Sequence, residues 1–207
     1  MTTKRLISWL HLWPGLISAL IVLFVCITGT IIVYCDEIMD LSAGDAKYVK
    51  EVKDTRLPVD SLINIIKKEY PSRSKAISYM VGYKDPERSV RFNTFSRTEG
   101  LSMMYIDPYS GRILKDDNTI YFFYITAHLH NSLLLGKTGQ WIIDIATIIF
   151  IIELITGIVL WLPKKWNKKT RDASLKIKFK STAKRLNYDL HKVLGFYALI
   201  IMLVLSL

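Results

Sequence analysis

The sequence predicts an α-helical membrane protein with about three transmembrane helices and an extracytoplasmic α+β domain held between the first two. Three observations carry this: the apolar residues collect in blocks, the positive charge collects in one loop, and the apolar period changes between the first two blocks. Of 207 residues, 51% are hydrophobic, more than an ordinary soluble domain needs for its core. They concentrate at 6–35, 141–162 and 193–207. The first two reach the ~20 residues that cross a ~30 Å hydrocarbon core. The third is still running, after 15 residues, at Leu207, which reads as an incomplete span.

Lys4 and Arg5 precede the first block as they would a secretory signal. Its apolar run is far longer than a signal core, and no small-residue cleavage site follows, so it reads as a retained anchor. The net charge of +10 raises the question of nucleic acid, and the distribution answers it. Between 163 and 192 there are eleven Lys or Arg (164, 165, 168, 169, 171, 176, 178, 180, 184, 185, 192) against Asp172 and Asp189, so 11 − 2 leaves +9. A basic loop beside a span is a topology signal that touches anionic headgroups, not a nucleic-acid surface. It places the N-terminus and the loop in the cytoplasm. Residues 36–140, with fifteen basic and fourteen acidic side chains, then lie outside. Cys26 and Cys35 are nine positions apart on one helix, about 13 Å of rise, too far for a disulfide with each other.

After the first block, LPVDSLINIIKKEYP places Val59, Leu62, Ile63, Ile65 and Ile66 at helical spacing, with Pro58 where a first turn tolerates it. ISYMVGY, SVRFNTFS and LSMMYIDPYSGRIL follow with alternating or β-rich character, separated by the turn-prone KDPER and RTEG. The last segment is strand, turn, strand: Asp107 accepts turn hydrogen bonds, Pro108 presets φ and Gly111 supplies freedom. Both Asp107 and Gly111 read as turn architecture. The hairpin resembles the closing motif of the PepSY domain, hydrophobic-x-Asp-Pro-aromatic-Ser/Thr-Gly.

The four histidines, His11, His128, His130 and His191, all stand at or beside the start of an apolar block. Leu10-His11 followed by Gly15 repeats as Leu190-His191 followed by Gly195, so the first and third spans enter from the cytoplasm with one phrase, L-H-x-x-x-G. A third pair, Leu129-His130, precedes Gly136 and Gly139. Thr28-Gly29 and Thr156-Gly157 form a second repeated phrase, read as small residues that let helices approach. A neutral imidazole is an axial ligand of haem iron. Two helices inserted from one face place His11 and His191 at equal depth, with the glycines one turn deeper leaving room for a flat macrocycle. An isolated interfacial histidine would be a headgroup-level residue like Trp9, Trp13, Trp141 and Trp161; the matched phrase favours a ligand. His128 and His130 are roughly 200° apart on a helix, so one of them at most faces a given iron, and His130 carries the Leu-His phrase. Within the second span, Asp144 reads as interfacial, whereas Glu153 lies deep and is a candidate for a proton or cation path.

Taken together, RLISWLHLWPGLISALIVLFVCITGTIIVYCDEI, YIDPYSG, HLHNSLLLGKTGQWIIDIATIIFIIELITGIVLWLPKKW and RLNYDLHKVLGFYALIIMLVLSL resemble the PepSY-associated transmembrane family. That family includes iron-regulated inner-membrane proteins and haem-containing ferric-siderophore reductases. The resemblance implies a bacterial inner-membrane location and b-type haem. One site, at His11 and His191, lies within this chain; a second, using His130 or His128, needs helices that follow in longer members. It also implies a ferric siderophore as acceptor. No G-x-G-x-x-G supplies a flavin or nicotinamide site, so electrons come from a quinol or a cytoplasmic reductase. The alternative is a membrane-anchored PepSY module that inhibits a peptidase or serves as an accessory subunit without redox activity. The implied organisation is a first span at 1–35, a PepSY-like domain at 36–119, an outer helical segment at 120–140, a second span at 141–162, a basic loop at 163–190 and an incomplete third span at 191–207.

Overall fold

The computed structural model describes residues 3–71 and 76–206. The ends of the expected first and third spans, Met1, Thr2 and Leu207, lie outside the described residues. The chain forms two compact units, Met1–Cys26 with Asn131–Leu207, and Ile27–His130.

Among the described residues, three helices are long and apolar enough to cross a membrane: α1 (Thr3–Val33), α5 (Gly136–Trp161) and α7 (Ala183–Ser206). Their outward faces carry Leu16, Ile17, Leu20, Ile148, Ile155, Ile200 and Leu205 in the open. Water would not tolerate so continuous an apolar surface, and lipid requires one. Within the first unit, α5 and α7 pack together. Trp161 lies flat on Phe196, ring centres 3.9 Å apart and planes within 2°. The short helix α6 (Lys168–Leu175) is capped by Asn167, whose side chain accepts from Thr170 N. It is tied down by Trp161 Nε1 donating to Ser174 O at 3.1 Å and by Lys192 Nζ donating to Ser174 Oγ at 3.0 Å.

The second unit is a four-stranded antiparallel sheet in the order β1-β2-β3-β4, formed by Ile77–Val81, Val90–Ser96, Gly100–Ile106 and Ile113–Asp117. Helix α3 (Val59–Glu69) buries Leu62 and Ile66 against Val90, Phe92, Met104 and Ile106, with Ile63 partly buried at the edge. The opposite face, which the sequence pattern left uncovered, packs Met103 and Tyr105 against Met39 and Ala43 of α2 (Cys35–Ala43) and Phe123 of α4 (Thr119–Ser132). Successive β3 residues point to opposite faces, so a strand covered on both sides loses the polar alternation of a half-exposed one. Helix α2 begins two residues after α1 ends. Ionic contacts hold it to the sheet: Arg88 makes a two-pronged bond to Asp40, both contacts 2.8 Å, and Arg91 donates to Asp36 at 2.8 Å. Burial by itself would raise the Asp40 carboxyl; the hydrogen bonds and charge of Arg88, helped by Arg91 and Lys47, lower it instead.

The Asp107 turn has the expected construction. Asp107 Oδ1 accepts from Tyr109 N at 2.8 Å, Ser110 Oγ donates to Oδ2 at 2.6 Å, and Gly111 stands at φ +74°. A β-carbon on Gly111 would also fall on Ile65 Cδ1, so glycine serves both the turn and the packing of α3.

At the end of β4, Asp117 accepts from Thr119 N at 2.8 Å and from Ser42 Oγ at 2.7 Å, with Lys115 at 3.0 Å. Burial opposes ionisation, but these donors outweigh it and hold the carboxyl at about 2. A depressed carboxyl stabilises the fold fully above its unfolded value of 3.8 and loses that contribution as pH falls toward 2. Asp117→Asn should therefore cost about 2 kcal/mol at neutral pH, measured by pulse proteolysis of the full chain in urea, and the gap from the unsubstituted protein should narrow between pH 4 and pH 2. Ile66→Ala, at a fully buried position, should cost roughly 2–5 kcal/mol at every pH.

Candidate functional site

Spacing along α1, α5 and α7 brings a polar cluster together inside the first unit. His11 is the ninth residue of α1, Glu153 and Thr156 share a face of α5, and His191 lies on α7. His11 Nδ1 is 2.9 Å from Glu153 Oε2 and 3.0 Å from Thr156 Oγ1. The His11 and His191 ring centres are 6.0 Å apart, with the planes at 63°.

Hydrogen-bond accounting assigns the roles within this cluster, with Glu153 taken as the carboxylate. The Thr156 hydroxyl donates its one proton to Ile152 O at 2.8 Å, the i−4 bond of a helical threonine. Its oxygen therefore accepts from His11, and so does the carboxylate. Nδ1 carries the ring proton, which assigns the tautomer from the network and leaves Nε2 with the lone pair. Glu153 is 8% exposed, and its Oε1 makes no hydrogen bond among the described residues. Gly15 makes room for it: a β-carbon there would come within 2.7 Å of Glu153 Oε2. The space over Gly15, expected to admit a flat ligand, is thus taken by a carboxyl group, whereas nothing lies within 4 Å of a β-carbon built on Gly195.

The structure brings His11, His191 and Glu153 together and places the other two histidines in the second unit. There His130 Nδ1 lies 3.2 Å from Thr28 Oγ1. His128 Nδ1 is 2.9 Å from Tyr124 O, one turn back on its own helix, and its ring packs on Tyr124 with centres 4.2 Å apart. Asp144 is exposed on α5. The sequence reading took the Thr-Gly pairs for helix-packing residues, but both receive an imidazole, and it gave Glu153 no histidine partner. Their repetition was the available signal. What spacing along one helix cannot supply is the identity of the facing helix.

His11 and His191 are the pair of imidazoles that the cluster brings face to edge. Among the described residues no group of three or more His, Cys, Asp and Glu is placed to hold a bare metal ion.

Among curated proteins no match was found. Residues 8–207 match the family model described as the PepSY-associated TM region. Because the match covers nearly the whole chain, and the three apolar helices and the α+β unit accompany it, the protein belongs to the PepSY-associated TM family.

Proposed function

We propose that the protein is a haem-bearing electron conduit of the bacterial inner membrane, passing electrons outward so that ferric iron in a siderophore is reduced for iron acquisition. The observation that carries this reading is the His11–His191 pair at 6.0 Å between ring centres. Two metal–nitrogen bonds of about 2 Å, with half a ring beyond each, span about that distance. His11 further meets the requirement for a ligating imidazole, since its Nδ1–H is held by Glu153 and Thr156 while Nε2 takes no part in those bonds. A b-type haem, when bound, supplies a one-electron carrier.

This chain's residues have the following parts. His11 and His191 would hold the haem iron, and Glu153 and Thr156 fix the rotation of His11. Electrons enter from a quinol or a cytoplasmic reductase. The N-terminus and the +9 segment at 163–192 face the cytoplasm by the positive-inside rule, and 36–140 faces outward. Against the reading of a purely regulatory PepSY anchor stands the paired imidazole itself, for which an anchor has no use.

His11→Ala and His191→Ala should each lose most of the bound haem at matched protein amount, by pyridine haemochrome assay, while His128→Ala retains it. Full retention in both of the first two variants contradicts the assignment and favours the anchor reading. Orientation is tested in intact cells with Cys26 and Cys35 replaced by serine and single cysteines placed at the exposed Ser181 and Glu99. An impermeant maleimide should label position 99 and leave position 181 untouched; the reverse pattern contradicts the topology.

A further inference from the structure

Two Thr-Gly pairs stand in different units and meet different histidines, yet both meet them in the same way. At Thr156-Gly157 the hydroxyl oxygen is 3.0 Å from His11 Nδ1; at Thr28-Gly29 it is 3.2 Å from His130 Nδ1. A β-carbon built on Gly157 would have, as its three nearest neighbours, His11 Cε1 at 3.2 Å, Nδ1 at 3.9 Å and Nε2 at 4.0 Å. On Gly29 the neighbours are His130 Cε1 at 2.9 Å, Nδ1 at 3.4 Å and Nε2 at 3.9 Å. Atoms and order agree at both places.

Small residues in spans ordinarily let two backbones approach. A glycine serving that purpose is crowded by the neighbouring helix backbone or by apolar side chains. Here all three nearest atoms belong to one imidazole in each case. The glycine admits the ring edge, and the threonine before it supplies the polar partner that an imidazole in an apolar span requires.

We propose that each Thr-Gly pair is an imidazole seat: the threonine oxygen holds Nδ1, the glycine admits Cε1, and the ring is thereby turned to present Nε2 as its coordinating nitrogen. Thr156 and Thr28 are positioning residues, and His130 is seated as His11 is, while His128 takes a backbone carbonyl, Tyr124 O, in place of a Thr-Gly seat. The seats rest on geometry alone, and only the use of Nε2 rests on the haem reading. Glu153 also accepts from His11 Nδ1, so the Thr156 seat shares its ring with a carboxylate.

The experiment uses the full chain in detergent with 15N-labelled histidine, stripped of haem, and with His11→Ala and His130→Ala to assign the signals. Both rings should appear as the single Nδ1–H tautomer. Thr28→Val, which keeps the shape of threonine and removes the oxygen, should convert the His130 signal to a mixture of tautomers, and Thr28→Ser should restore the single form. Gly29→Ala should displace the same ring and shift its signals with Thr28 intact. Mixed tautomers at both rings in the unsubstituted protein, or a His130 signal indifferent to Thr28→Val and Gly29→Ala, overturns the proposal. The same preparations, offered haem, separate the two readings. Intact seats with no uptake sink the haem reading and leave the seats standing, whereas haem bound with mixed tautomers sinks the seats alone.

Discussion

Hydrocarbon offers no hydrogen bonds, so every polar group carried into an apolar span must find its partner within the protein. The cluster on α1, α5 and α7 follows from this constraint. An imidazole on α1 takes a carboxylate and a hydroxyl from one turn of α5, and the hydroxyl passes its own proton to a carbonyl one turn back. Each bond restricts the next. With the Thr156 proton given to Ile152, the network assigns the histidine as donor from Nδ1. Gly15 and Gly157 belong to the same arrangement, because a β-carbon on either would fall on the side chains that meet there.

The second unit is governed by a different balance. Its sheet is buried on both faces, so Met103 and Tyr105 serve one core while Met104 and Ile106 serve another. The second of these cores includes the short helix that directly follows the first span, and charge fixes that helix in place. Arg88 and Arg91 reach from the sheet to Asp36 and Asp40 with little exposure of either guanidinium. The guanidinium side of each pair is the buried one, so removing its carboxylate leaves a largely desolvated charge without that partner. The α+β unit thus grips the helix that emerges from the span through side chains on β2 and just before it.

Much of the fold was legible in the sequence because its signals are local. Runs of apolar residues long enough to span, the helical period of Leu62, Ile63 and Ile66, and the Asp107–Gly111 turn each lie within one stretch of chain. Helix α2 was not legible: CDEIMDLSA offers only Met39 and Ala43 to a core, and its hold on the sheet comes from arginines about fifty residues away. The candidate site was half legible. Repetition of Leu-His marked His11 and His191, and depth marked Glu153, but no spacing rule says which helix faces which. For that reason Thr156 and Thr28 passed as packing residues and Gly15 as space for a ligand. A paired signal in sequence identifies that residues matter together; only the packing identifies what they touch.

The central claim is that two histidines from different spans close on one haem iron, and the most direct measurement is the absorption spectrum of the full chain purified in detergent after expression with haem supplied. On reduction with dithionite the account predicts the sharp, split visible bands of a six-coordinate b-type haem, and no change when carbon monoxide is added, because His11 and His191 would leave the iron no open position. A preparation that takes up no haem, or one whose reduced spectrum shifts at once with carbon monoxide, contradicts it.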